Sequence, residues 1–301
     1  MADRRLQVFH AVAKHLSFTK AAEALFMTQP AVTFQIKQLE EHFNTRLFER
    51  GHGRITLTPA GDIVLEYAER ILALSAELDT RLKEMTGQIG GPLLVGASTT
   101  IAEFLLPQVL GNFKSKYPSV MPRLFVANSG TVESRVSEHT LDIGFIEAPS
   151  HLPTVASDVC CEDELQVVCA PGHALAKLQS VTPKELVAHP YISREPGSGT
   201  REVTDLYFQK AGIKPDSLNV VMELGSPEAL KGLVATGVGF TIMSRVTVNK
   251  ELRLGELTAL PLSPRLIRNL SVVYPKEKFR SRLVNTFVQF AKEKLAARVA
   301  S

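Results

Sequence analysis

Between Asp62 and Thr86 the chain runs without proline or glycine, and Val64, Tyr67, Ile71, Leu74, Leu78, Leu82 and Met85 recur at intervals of three or four. Thr58-Pro59 ahead of this run reads as an N-cap followed by proline at the first helical position. The spacing predicts one helix over about 59–87, on the order of 42 Å long at 1.5 Å per residue. A stripe this narrow on so long a helix suits a two-stranded coiled coil, so the expected state is a homodimer through this helix. The alternative is a helix packed on its own domain. Either way the helix separates a short N-terminal segment from about two hundred residues of different character.

The N-terminal segment, 1–58, carries eight cations and five anions, an excess of three that equals the net charge of the whole 301-residue chain. A polyanion partner for this segment follows as an expectation. Leu6, Phe9, Val12, Ala13 and Leu16 are spaced as one face of a helix. Ser17 offers an N-cap to a short second helix whose Ala21, Ala22 and Ala24 permit close packing. A break follows at Phe26-Met27. Thr28 then caps a third helix with Pro30 in its first turn, where proline is tolerated. Ala31, Val32, Ile36, Leu39 and Phe43 form its apolar face, and Gln29, Thr33, Phe34, Lys37 and Gln38 lie on the other. Two helices joined by a tight turn, the second polar outside, form a helix-turn-helix. Arg50 and Arg54 flank a Gly-His-Gly turn, and Ile55 and Leu57 alternate with threonines beyond it. That reads as a β-hairpin wing whose arginines suit phosphate.

Beyond the Gln88-to-Pro92 linker, strand-like runs alternate with helix-like ones: LLVGA, RLFVAN and LDIGFIE, then ELQVVCAP, YISR, LNVVMEL and GFTIMS, and last NLSVVYP before a C-terminal helix from Arg280 to about Arg298. Helices are expected near Ile101–Tyr117, Val132–Glu138, Arg201–Ala211 and Pro227–Thr236. This alternation predicts mostly parallel sheets covered by helices, arranged as two lobes.

The stretch from LQVFHAVAKHLSFTKAAEAL through TQPAVTFQIKQLEEHFNTRLFER to LTPAG resembles the LysR-type family of bacterial regulators, and the remaining chain has that family's length and lobe pattern. The resemblance implies an α + α/β protein: an N-terminal winged helix-turn-helix over 1–58, a dimerising linker helix over 59–87, and a two-lobed, periplasmic-binding-protein-like α/β effector domain over 88–301. It divides the effector domain into lobe I, 91–161 plus 267–301, and lobe II, 162–266. The implied function is sequence-specific transcription regulation on a dyad-symmetric operator in double-stranded DNA, as a dimer or tetramer in the cytoplasm, with RNA polymerase as a further candidate partner. Gln29, Pro30, Thr33, Phe34 and Lys37 map onto the helix that reads the major groove. Gln can bond the adenine edge and Thr a base or thymine methyl. Phe34 stands where arginine or histidine is common in the family, and its ring either contacts a thymine methyl or packs on its own helix. Arg50 and Arg54 are assigned to phosphates.

In the effector domain the resemblance places a small-molecule site between the lobes. Ser98-Thr99-Thr100 and the segment Arg194 to Arg201 each follow a strand and open a helix, offering hydroxyls and N–H groups at a positive helix end. The candidate effector residues are Ser98, Thr99, Thr100, Asn128, Glu147, Arg194, Ser198, Thr200 and Arg201. The alternative for the hydroxyl residues is ordinary helix capping. Glu147 is odd beside an anion site, and the expectation is a carboxyl of raised pKa that donates a hydrogen bond to the ligand. Similarity of GASTTIAEFLLP, FIEAP and SREPGSGTRE to members that regulate sulfur metabolism or carbon fixation implies a small anionic effector, either a sulfite- or sulfate-type oxyanion or a phosphorylated metabolite. No other cofactor is expected.

An enzyme is the rival class, but the chain has no Gly-x-Ser-x-Gly, no Gly-x-x-x-x-Gly-Lys-Ser/Thr and no His-Glu-x-x-His. A solute-binding protein accounts for the lobes but not for the first ninety residues. Neither catalytic nor metal-ligating residues are expected. Cys160, Cys161 and Cys169 show no ligand spacing and read as small buried thiols. No apolar run is long enough for a membrane span.

Overall fold

The computed structural model describes residues 3–51, 54–85, 89–276 and 280–299. The chain divides into two compact units, Met1–Gln88 and Ile89–Ser301.

In the first unit, α1 (Arg4–His15), α2 (Phe18–Ala24) and α3 (Gln29–Phe43) each begin on a side-chain cap: Asp3, Ser17 and Thr28 accept from backbone N–H groups of the first turn. Their shared core is built from Phe9, Phe18, Val32, Ile36 and Leu39 together with Leu47 and Phe48. Ala21 and Ala22 are buried, so α2 approaches its neighbours closely. The turn between α2 and α3 puts Phe26 in the left-handed region, at φ 53°. After α3, Glu40 Oε1 accepts from the Leu47 and Phe48 N–H groups and ties the hairpin β1 (Phe48–Gly51) and β2 (Arg54–Leu57) to the helix. The hairpin register pairs Arg50 with Ile55 and Gly51 with Arg54. The expected His52-Gly53 tip and the Arg50 and Arg54 side chains lie outside the described residues.

α4 (Pro59–Met85) follows directly. Gly61 is required there, because a Cβ would stand 2.2 Å from the Leu47 carbonyl oxygen. The apolar stripe changes partner along this helix. Val64 and Ala68 pack on the N-terminal core, whereas Tyr67, Ile71, Leu74, Leu78 and Leu82 are exposed, Leu74 by 64%. The Met85 side chain lies outside the described residues.

The second unit is built on one sheet of eight strands in the order β4-β3-β5-β10-β6-β9-β7-β8. Its first half has β3 (Gly91–Ser98), α5 (Leu106–Lys116), β4 (Val120–Ala127), α6 (Ser129–Ser137) and β5 (Ile143–Ile146). β6 (Val155–Cys169) leads to α7 (Pro183–Leu186), β7 (Tyr191–Arg194), α8 (Gly199–Lys210) and β8 (Val220–Leu224). Then come α9 (Pro227–Ala235), β9 (Phe240–Ser244), α10 (Asn249–Leu254), β10 (Thr258–Pro275) and α11 (Arg282–Val299). β3 pairs in parallel with β4 and β5, and β7 with β8 and β9, as the alternation predicts. β6 and β10 are antiparallel and much longer than ELQVVCAP and NLSVVYP, pairing from Thr258–Cys169 to Pro275–Val155. Their N-terminal parts, residues 155–163 and 258–268, lie outside those runs because charges such as Glu162, Asp163, Arg265 and Arg268 interrupt the apolar pattern. Asp163 and Arg268 are buried opposite one another and pair across the ladder.

The first expected helix of this unit is also modified. Ile101–Leu105 forms a π turn, closed by the Leu106 N–H on the Ile101 carbonyl, and α5 starts after it with Pro107 in its first turn. Proline has no N–H for an interior helical bond, so the regular helix begins where that loss is harmless. Phe113, Phe145 and Phe287 anchor one core, with ring centroids 4.8 Å apart for Phe113–Phe287 and 6.2 Å for Phe145–Phe287. Tyr191, Phe208 and Phe240 anchor a second core, where Tyr191 and Phe240 stack at 5.1 Å. The Cys160, Cys161 and Cys169 thiols are pushed up by burial to about 11, about 12 and about 11, so none is a ready thiolate.

Phe287→Ala is expected to destabilise the second unit by about 3–5 kcal/mol, because the fully buried ring leaves a cavity between Phe113 and Phe145. Urea unfolding of the full chain measures this as a lowered midpoint for the transition of that unit.

Candidate nucleic-acid interface and effector cleft

On α3 Val32, Ile36 and Leu39 of the apolar face enter the core while Phe43 stays 44% exposed, and on the other face Gln29, Pro30, Phe34 and Lys37 are exposed and Thr33 half-buried. Gln29 Nε2 donates to Thr33 Oγ1 at 3.1 Å, so these two polar groups already share one surface. Lys37 is only loosely paired, 3.6 Å from Glu41. Phe34 is 57% exposed, so its own helix does not bury it. Phe26, which the sequence reading treated only as a break, is 97% exposed in the turn before α3. A bulky residue that is both left-handed and solvated is uncommon, and φ above zero without glycine was the signal no sequence pattern carried.

The second unit brings several candidate effector residues to the carboxyl ends of β3, β5 and β7. Ser98 Oγ donates to Glu147 Oε1 at 2.7 Å, and Thr200 Oγ1 donates to Glu147 Oε2 at 2.8 Å. Ser98 ends β3, Glu147 follows β5 and Thr200 lies in the first turn of α8, so hydroxyls from both expected lobes meet on one carboxylate. Asn128 caps α6 through Thr131 N–H and reaches the Pro196 carbonyl at 3.3 Å, and Gly130 N–H donates to the Gly197 carbonyl. Gly199 allows this approach. A Cβ there would stand 2.8 Å from Ser129 Oγ and 3.0 Å from Glu147 Cβ.

Other predicted residues have different roles. Arg194 is bound to Glu195 and the Gly225 carbonyl. Arg201 is bound to Glu223 and the Arg194 carbonyl, with Asp205 3.7 Å away. Ser198 caps α8 through Arg201 N–H. Thr100 is buried and Thr99 half-buried beside Ser98.

Sequence reasoning missed the centre of the site. Arg268 of β10 donates from Nη1 to Glu147 Oε2 at 2.6 Å and to Thr200 Oγ1 at 2.8 Å, and from Nε to Asp163 Oδ2 at 2.8 Å. Ser244 Oγ donates to Asp163 Oδ1 at 2.6 Å. The available signal was Arg268 itself, a charge between Leu266 and Leu270 where a buried strand face needs a partner. The expected raised pKa of Glu147 is corrected. Burial pushes its carboxyl up, but the Arg268 charge, the Ser98 hydroxyl, Arg194 and Thr200 more than offset that and hold it at about 2. Glu147 is therefore a carboxylate acceptor and not a proton donor. Burial likewise opposes the Arg268 charge, and Glu147 and Asp163 outweigh it, so that guanidinium is held above its ordinary value.

Among the described residues no cluster of three or more His, Cys, Asp or Glu could hold a metal ion, and no helix is long and apolar enough to cross a membrane.

A helix-turn-helix with a hairpin, followed by an α/β unit with polar groups converging at strand ends, defines an effector-controlled transcription regulator. The chain belongs to the LysR family: residues 4–62 match the bacterial regulatory helix-turn-helix protein, lysR family, and residues 86–296 match the LysR substrate binding domain. It is a DNA-binding transcriptional regulator with an effector-binding domain, not an enzyme. It is 34% identical over 289 residues to a probable RuBisCO transcriptional regulator of Porphyra purpurea, covering 95% of this chain and 91% of that one. A full-length OxyR variant from Pseudomonas aeruginosa shares the fold, with a TM-score of 0.73 at 19% identity over 98% of this chain and 94% of that one. The Synechocystis PCC6803 CcmR regulatory domain in complex with 2-PG matches at 28% identity and a TM-score of 0.63, over 68% of this chain and 97% of that one.

The low pKa of Glu147 gives a signed expectation. Its folded value of about 2 lies below the ordinary 4.5, so its contribution to stability is present above pH 4.5 and is lost as pH falls toward about 2. Urea midpoints of wild type and Glu147→Gln across that window are expected to converge as the pH is lowered, with the wild type losing more.

Proposed function

We propose that the chain is an operator-binding homodimer, assembling further to a tetramer, whose DNA affinity or geometry is set by a small phosphorylated acid bound between the lobes. The observation that carries the effector assignment is the meeting of Ser98 and Thr200 hydroxyls, from opposite halves of the sheet, on one anionic point. A ligand anion at that point is held by groups from both halves of the sheet, so its binding couples to their relative geometry, as in hinged two-lobed domains. A phosphorylated metabolite is favoured over a sulfite- or sulfate-type oxyanion by the CcmR domain, 28% identical here and bound to 2-PG, and by the carbon-fixation names of the relatives. In this reading Ser98, Thr99, Thr100, Asn128, Ser198 and Thr200 line the site, and Arg194 and Arg201 act from its margin.

On DNA, Gln29, Pro30, Thr33, Phe34 and Lys37 enter the major groove, with Gln29 suited to adenine and Phe34 to a thymine methyl. Arg50 and Arg54 take phosphates. The exposed Tyr67, Ile71, Leu74, Leu78 and Leu82 stripe is the dimer seam, which presents two α3 helices to a dyad-symmetric operator. Such a regulator works in the cytoplasm, on promoters that RNA polymerase also occupies.

Titration calorimetry of the full chain is expected to show 2-phosphoglycolate binding at least about tenfold more tightly than sulfate or sulfite, a difference of about 1.4 kcal/mol. Equal or reversed affinities would favour the oxyanion reading. Leu74→Asp with Leu78→Asp places charges in the seam. The double variant is expected to sediment as a monomer and to lose more than about 100-fold in operator affinity, because the second half-site no longer binds as part of the same particle.

A further inference from the structure

The effector cleft already contains an anion, and it belongs to the protein. Glu147 sits at the N-terminal end of α8, a twelve-residue helix, with Gly199 backbone packed against its Cβ. Its two carboxylate oxygens take the Ser98 hydroxyl on one side and the Thr200 hydroxyl and Arg268 Nη1 on the other. A positive helix end, a guanidinium and two hydroxyls form the donor set that recognises a phosphate or carboxylate. Here a side chain of the same chain fills it.

The arrangement is incomplete in one respect. Arg268 is 4% exposed, and its Nη2 has no hydrogen-bond partner among the described residues. Nη2 lies 2.8 Å from Asp163 Oδ2 in an ion pair that is not a hydrogen bond, and that oxygen also accepts from Nε. The charge is compensated there, but the Nη2 hydrogen bond is not made, and an acceptor placed for it would gain that bond. The two carboxylates facing the guanidinium are also unequal. Asp163 is held in register across the β6–β10 ladder and by Ser244. Glu147 follows the last residue of β5 and is free of the ladder. Two buried carboxylates share one buried guanidinium, and of the two only Asp163 is also fixed by the ladder.

We propose that Glu147 is a resident surrogate for the effector's anionic group: it bridges the lobes in the absence of effector, and a phosphate or carboxylate of the effector binds by displacing it from Arg268, Ser98 and Thr200. The proposal rests on the anionic-effector reading above. A tetrahedral phosphate can accept from Nη1 and Nη2 together, so the exchange preserves the hydroxyl bonds and gives Nη2 the acceptor it lacks. Affinity for the effector is then set by competition with an internal carboxylate, and removing that carboxylate strengthens binding.

The test is calorimetry of the full chain with 2-phosphoglycolate and with inorganic phosphate, on wild type, Glu147→Gln and Arg268→Met. The expected result is binding to Glu147→Gln at least about tenfold tighter than to wild type for both probes, since a competing charge a few ångströms from the ligand is gone, and loss of binding in Arg268→Met. Binding to Glu147→Gln alone, with none to wild type, is the same result with a stronger competitor. If wild type binds and Glu147→Gln binds equally or more weakly, the exchange is overturned while the anionic-effector reading stands. If neither protein binds either probe, both are overturned. Should Glu147→Gln fail to fold, Glu147→Asp takes its place. If Glu147→Asp, which keeps the charge but shortens its reach to Ser98 and Arg268, binds both probes no more tightly than wild type, the exchange is overturned; a smaller tightening than that given by removing the charge is the expected result.

Discussion

The effector unit depends on the antiparallel pairing of β6 with β10. These two long strands stand in the middle of the eight-stranded sheet and join its two parallel sets, β10 pairing antiparallel with β5 and β6 antiparallel with β9. Their register puts Arg268 opposite Asp163 inside the protein, where neither charge is tolerable alone. Once that pair is fixed, the guanidinium has Nη1 to spare, and Glu147 and Thr200 converge on it from β5 and α8. The proposed cleft is thus organised from the strands outward, and the helix N-termini that look like the site in sequence supply its rim.

The same logic of unmet groups governs the N-terminal unit, with apolar surface in place of charge. α3 spends Val32, Ile36 and Leu39 on the core it shares with α1 and α2 and leaves Gln29, Phe34 and Lys37 outside. α4 spends Val64 and Ala68 on that core and then carries an exposed row from Tyr67 to Leu82. A single helix has no means of burying such a row within its own unit, and contiguous exposed apolar surface marks an interaction site. The proposed recognition and assembly surfaces are both what remains after the core has taken its share.

Glu147 shows how a residue singled out in the sequence can be given the wrong chemistry. Its position at the end of LDIGFIE was visible in the sequence, and the expectation of a protonated carboxyl followed from placing it next to a ligand anion. Arg268, 121 positions along the chain, reverses that conclusion. A neighbouring guanidinium and two hydroxyls stabilise the carboxylate more than burial penalises it.

The sequence alone determined whatever depends on local periodicity and capping: the three capped helices, the 27-residue α4, the parallel β-α alternation and the face of α3 left polar. Those features arise from contacts between residues a few positions apart, so they are written in spacing. The tertiary structure decided the extent of β6 and β10, the π turn before Pro107, the exposed left-handed Phe26 and the Arg268–Asp163–Glu147 cluster. Each of these is settled by a partner or a backbone geometry that spacing does not encode, and buried charge most of all, because its cost is set by whatever the fold brings within about 3 Å of it.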